Sequence, residues 1–212
     1  MRKSKTIFFL CAMVIALVFA MAFLEDAKCF IKGNRIDFNK SEKADFSDPC
    51  TMIDGKIDFV YGPFAIYEET TEKYGITINK NETNYYIVSN LEDTDFFTVF
   101  STADKDLISE LDRAADKWLA YFTVENAAEP VVNIEFDGKL SYPNSMEEYE
   151  KYYNEAVEDL AIVGVEKSMF AYLQIQEGKI TVWSVVAFVA CCILTLVSFM
   201  LMIISFIASR RR

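Results

Sequence analysis

Histidine is absent from all 212 residues, so this chain alone builds no Ser-His-Asp triad, no Cys-His pair and no His-ligated zinc. Glycine and proline are scarce, seven and four in all, and none of the glycines forms a phosphate-cradling loop. The five cysteines lack metal-ligand spacing. Cations are thin away from the ends: Arg2, Lys3, Lys5, Arg210, Arg211 and Arg212 take six of the 21. That leaves 15 against all 32 acids in residues 25–179, a net of −17. Phosphate backbones need clustered positive charge, so nucleic acid is excluded as a partner. Charge of either sign is missing altogether from one long stretch near each end.

Those stretches hold the apolar excess of a chain that is 52% hydrophobic yet 25% charged. Residues 7–24 form an 18-residue run, which as a helix covers roughly 27 Å of a hydrocarbon core about 30 Å thick. Residues 180–209 form a 30-residue run, longer than the roughly 20 that a span needs, so part of it tilts or protrudes. Trp183 at its start suits an interfacial anchor. Basic flanks at 1–6 and 210–212, with Glu25 and Asp26 at the other end of the first run, place both termini in the cytoplasm. The expected location is therefore the cell membrane, with an extracytoplasmic middle and the lipid bilayer as first partner. Ala20-Met21-Ala22 also fits a signal-peptide cleavage site. An uncleaved anchor is favoured because the apolar run continues through Phe23 and Leu24.

Cys11, Cys191 and Cys192 lie inside the apolar runs as small hydrophobes. Cys29 and Cys50 are the pair left for the exported part. A bridge between them closes a loop of about 20 residues, worth about 3 kcal/mol by the chain-entropy argument. An exporting compartment permits that bridge without requiring it.

Residues 25–49 are polar and weakly periodic and read as a tether, so the folded domain is expected over 50–179. Short β-branched or aromatic runs at 52–53, 57–61, 64–67, 76–78, 85–88 and 96–100 predict strands. Asp54-Gly55, Gly62-Pro63, Gly75 and two polar stretches between them predict turns, and an antiparallel meander is the simplest arrangement. Leu107, Leu111, Ala114 or Ala115, Trp118 and Phe122 repeat every three to four residues, predicting an amphipathic helix over 103–124 capped by Ser101 or Thr102. A strand at 131–136 turns at Asp137-Gly138 into 139–141. A second helix runs from a Ser145/Glu148 capping box to Leu160, and 169–175 reads as a last strand. The expected fold class is α+β: an antiparallel sheet with two amphipathic helices, between two transmembrane helices. Asp54-Gly55-Lys56, Asp137-Gly138-Lys139 and Glu177-Gly178-Lys179 recur at irregular intervals and read as hairpin turns.

Carboxylates are the only abundant reactive groups. Asp104 with Asp106, and Glu92, Asp93 and Asp95, are the densest sets, but they match neither EF-hand spacing nor an aspartic-protease element and read as solvated loop and helix-start acids. Tyr85-Tyr86, or Tyr142 with Tyr149, offer aromatic faces for sugars, and at strand and helix spacing they read more simply as core. Asn39-Lys40-Ser41 and Asn81-Glu82-Thr83 fit the glycosylation sequon. No catalytic, cofactor or metal residue is assigned and no enzyme is expected. The leading expectation is a non-catalytic binding or accessory module at the outer membrane face, with another membrane or envelope protein as partner. Its rival is a carboxylate-dependent hydrolase or divalent-cation-binding domain. A third reading puts the function in the helices, whose Ser184, Ala187, Ala190, Ser198 and Ser205 suit helix packing.

Ile53-Asp54-Gly55, Phe59-Val60-Tyr61-Gly62-Pro63-Phe64-Ala65, Tyr85-Tyr86-Ile87-Val88 and the segment from Ile175 onward resemble a family of uncharacterised bacterial membrane proteins. Such proteins place an extracytoplasmic α+β domain between two transmembrane helices. The resemblance implies that topology and supplies no site residues.

Overall fold

A computed structural model of the protein describes residues 2–73, 76–91, 95–124, 127–178 and 182–210. In chain order the elements are helix α1 (Arg2–Lys32), strands β1 (Arg35–Asp37), β2 (Met52–Ile57), β3 (Phe59–Lys73), β4 (Ile76–Ser89) and β5 (Thr98–Thr102), and helix α2 (Lys105–Thr123). Strand β6 (Ile134–Ser141), helix α3 (Glu147–Ile162), strand β7 (Gln174–Glu177) and helix α4 (Val182–Arg210) follow. They divide into two units, Met1–Gly33 with Ile180–Arg212, and Asn34–Lys179.

In the first unit α1 and α4 pack along each other. Both are long and apolar enough to cross a membrane, with mean hydropathies of 3.0 and 2.8 in their most apolar stretches. Ala16, Ala20 and Ala27 of α1 are buried, and Phe9, Met13 and Phe23 are half-buried. Ser184, Ala187, Ser198 and Ser205 of α4 are half-buried, whereas Ala190 faces outward. Close backbone approach of this kind is how helices associate where lipid removes the hydrophobic drive. Phe8, Val18 and Phe19 of α1 and Leu194, Leu196 and Met200 of α4 face outward.

The second unit is built on a seven-stranded sheet in the order β1-β2-β6-β7-β5-β4-β3. The antiparallel meander expected from the sequence is present as β3-β4-β5, but the sheet is mixed, because β1 pairs β2 and β7 pairs β5 in parallel. Two cores follow from the pleat, which sends alternate side chains to opposite faces. On one face Tyr86, Val88, Phe100, Phe136, Leu140 and Ile175 meet Leu111, Ala114 and Ala115 of α2. On the other Tyr85, Ile87 and Val99 meet Tyr149, Ala156, Val157 and Leu160 of α3. Over Tyr85, Tyr86, Ile87 and Val88 strand β4 is apolar on both faces because both are covered there.

Several sequence expectations are corrected. Residues 25–49 are not a tether. α1 continues through Lys32, and β1 with two 3-10 turns carries Phe38 and Phe46 into the core, where Phe38 packs edge-on against Phe96 and Phe136 at 5.9 and 5.5 Å. The folded unit begins at Asn34. Single aromatic anchors have no period, so periodicity could not find them. Asp54-Gly55 and Asp137-Gly138 are not turns either, since β2 and β6 run straight through them. Gly62-Pro63, a cis bond, lies inside β3 at a register slip between Tyr61 and Ala65, so two expected strands are one bulged strand.

Asp104, not Ser101 or Thr102, caps α2, its Oδ1 accepting from the amides of Asp106 (2.9 Å) and Leu107 (3.1 Å). Ser101 and Thr102 are buried in β5. Met146, without a side-chain bond, stands at the start of α3 in place of the expected Ser145 box. The segment 169–175 becomes strand only from Gln174. The expected turn at Gly75 lies outside the described residues, as do Glu92 and Asp93.

Candidate functional site

A groove of about 560 Å³ runs along the β3 edge between the C-terminal halves of α2 and α3. Sequence shapes it in three ways. Gly62 has a φ of +124°, and a Cβ there would stand 2.8 Å from the Phe64 amide nitrogen, so only glycine fits the bulge. Pro63 has no N–H to offer another strand, which suits an edge. Trp118 is held in place by its indole N–H, which donates to the Asp58 carbonyl at 2.7 Å, and by Phe59 with ring centroids 5.0 Å apart.

The walls are apolar and partly open. Leu119 (62% exposed) and Phe122 come from α2, and Tyr152 and Ile162 (84% exposed) from α3. The rim is acidic: Asp116, Glu155 and Asp159 are among the lining residues and, among the described residues, no lysine or arginine is. Tyr61 ties floor to rim, its hydroxyl donating to Asp159 Oδ2 at 2.8 Å. Burial, reinforced by that carboxylate, pushes the phenol up to about 12, so it stays a donor at neutral pH.

A second, polar hollow of about 770 Å³ lies at the other end of the sheet. Here the acids of the three recurrences, Asp54, Asp137 and Glu177, converge. Asp54 stands opposite Asp137 in the β2–β6 ladder, and Glu177 opposite Gly138 in the β6–β7 ladder. Like charges opposed in this way repel, and Arg35 answers both: Nε meets Asp54 Oδ1 at 2.6 Å and Nη2 meets Asp137 Oδ1 at 3.1 Å. The glycines serve close approach instead of turning. A Cβ on Gly55 would lie 2.6 Å from Phe38 Cβ, and one on Gly138 2.8 Å from the Gln176 carbonyl oxygen. Burial, then repulsion from Asp104, raises Glu177 above the usual carboxylate range, while a hydrogen bond from Thr102 works against that rise.

A third cleft, of about 550 Å³, opens beside the start of α3, where Tyr142 and Tyr172 stand exposed.

The residues singled out by sequence are scattered. Asp104 is a helix cap and Asp95 is exposed. Tyr85, Tyr86 and Tyr149 are buried, so neither pairing proposed for sugars forms an open platform. The Tyr86 hydroxyl donates to Asp112 Oδ1 at 2.7 Å, and burial first and that carboxylate second raise the phenol strongly. Cys29 and Cys50 are disulfide-bonded, and Cys11, Cys191 and Cys192 are free thiols. Among the described residues no group of three or more cysteine, aspartate or glutamate side chains is placed to hold a metal ion. Sequence reasoning missed the groove. Its signals were present as Gly62-Pro63 between aromatics and as Leu119 and Ile162, apolar residues lying off the core stripes of their helices.

Fold and surface together define an α+β mixed-sheet domain carried between two apolar helices of membrane-spanning length, with an open groove on the domain. A family profile described as Domain of unknown function (DUF8577) matches residues 1–208, and the chain belongs to that family. No curated protein matches it.

Proposed function

We propose that this protein is a membrane-anchored, non-catalytic binding module whose acidic domain is exported and docks a cationic amphipathic segment of another membrane or envelope protein in the β3-edge groove. The observation that carries the reading is the groove itself: exposed apolar walls, a rim of Asp116, Glu155 and Asp159, and, among the described residues, no cation in its lining. Exposed apolar surface rimmed by charge is the anatomy of a docking site, and the rim sets the sign of what approaches. The net of −17 over residues 25–179 acts in the same direction at longer range. The densest acids have structural duties, Asp104 as a cap and Asp54 and Asp137 as partners of Arg35, which favours binding over carboxylate chemistry.

Export is supported by the basic flanks of both apolar helices and by the disulfide state of Cys29 and Cys50, a bond that persists in oxidising compartments. Protease added to intact cells is expected to cut within residues 34–179, and protection until lysis would overturn the topology. Alkylation in denaturant without reductant should leave Cys29 and Cys50 unmodified.

For the groove, the Trp183→Phe protein in zwitterionic nanodiscs leaves Trp118 as the reporter. A Leu/Lys amphipathic peptide of about four helical turns is expected to shift Trp118 emission saturably, with weakening by salt. Leu119→Asp with Ile162→Asp, both exposed positions, should abolish the shift. No saturable change, or an equal response to the matching Leu/Glu peptide, would reject the docking.

A further inference from the structure

The geometry points to a carbohydrate site in the cleft between Tyr142 and Tyr172, for an uncharged oligosaccharide. Tyr142 directly follows β6 and is 63% exposed, and Tyr172 shortly precedes β7 and is 72% exposed. Ser141 pairs with Gln174 in the β6–β7 ladder, so two neighbouring strands set the placement of both rings. Their centroids are 6.5 Å apart with planes at 72°, which makes a corner instead of a closed stack. A tyrosine presents an apolar face and a polar tip, and a pyranose ring presents the complement, a face of C–H bonds edged by hydroxyls.

The floor of the cleft suits the same ligand. It is neutral and its polar groups are held rigidly. Tyr149 donates to Gln174 Oε1 at 3.1 Å, which leaves that amide's capacity as donation from its nitrogen. Asn144 Nδ2 donates to the Tyr85 hydroxyl at 3.3 Å, and Asn154 adds a third amide to the lining. Charge is balanced, one Glu150 against one Lys167, unlike the acid-rimmed groove, so neither sign of ligand is drawn in. The volume of about 550 Å³ is that of a small-ligand site. This site is independent of the β3-edge groove, and neither proposal needs the other.

The test uses the full-length protein in nanodiscs, so that no sugar-headed detergent competes, titrated with triacetylchitotriose and with cellotetraose. Saturation-transfer NMR should show transfer to ring C–H protons of at least one of these sugars. Tyr142→Ala and Tyr172→Ala should each weaken binding roughly tenfold, while Tyr172→Phe retains it. Both positions are exposed, so thermal midpoints should stay unchanged and a loss would report binding, not folding. Leu119→Asp, in the other groove, should leave sugar binding intact. Absence of transfer from both sugars, or alanine variants that bind like the parent, would overturn the site. So would capture of a protein through Tyr142 and Tyr172 with no sugar binding.

Discussion

The helix pair and the sheet domain solve opposite packing problems with opposite residues. In α1 and α4 many large apolar side chains face outward: Phe8, Phe19, Leu194 and Met200 are exposed while Ala16 and Ala20 are buried. In the domain Phe38, Tyr86 and Phe100 are buried completely, and the surface carries the acids. An inside-out arrangement is stable only where the surroundings are as apolar as leucine, whereas the domain's arrangement draws on water. The contrast is compatible with an apolar medium around the helix pair and water around the domain.

The contrast can be broken from either side. The largest expected effect is in the domain, where Phe38→Ala should cost about 3–5 kcal/mol by emptying the centre of one core. Denaturant unfolding followed by near-UV circular dichroism would read it, and a loss below about 1 kcal/mol would restore residues 34–49 to the status of a tether. Next is the helix pair. Ala16→Leu with Ala20→Leu adds apolar bulk at a close contact and should cost about 1–3 kcal/mol, whereas Phe19→Leu on the outward face should be nearly neutral. If the alanine change were neutral and the phenylalanine change costly, the helices would be packed by their large faces.

Tyr61 provides a pH test. Its phenol is pushed up to about 12 in the folded chain against an ordinary value of 10, so the folded state keeps its proton where the unfolded state releases it. The stability this contributes is complete below about pH 10 and fades as pH rises toward 12. Tyr61→Phe should flatten the alkaline fall between those values while also losing the bond to Asp159. An unchanged slope would mean that burial of Tyr61 is weaker than the groove geometry implies. The smallest effect belongs to Arg35→Gln. Its two carboxylates are half-exposed, so removing the cation should cost no more than about 1 kcal/mol, and added salt should narrow that gap.

The comparison also separates what was legible. Composition alone located the two apolar helices, because charge-free runs of that length stand out against a chain that is 25% charged. The α2 stripe was legible too, since it buries one face and leaves a local period. Strands buried on both faces were found as apolar runs, but their neighbours were not. Parallel pairing of β5 with β7 joins segments far apart in sequence, and no local pattern records it. The same limit applies to the candidate sites. The groove, the Arg35 hollow and the tyrosine cleft each bring together three or more distant segments, and their residues look ordinary one at a time.

What the sequence by itself determined is which segments are apolar enough to cross a membrane: hydropathy is a sum over neighbours in the chain, and that sum is readable in order. What only the tertiary structure decided is which side of each element remains uncovered. Gly55 and Gly138 are turn residues by every local rule, yet they are strand interiors because Phe38 and the Gln176 backbone need the space where a Cβ would be. Tyr149 and Tyr172 are chemically the same, and only the packing of α3 onto the sheet buries one and leaves the other open to a ligand.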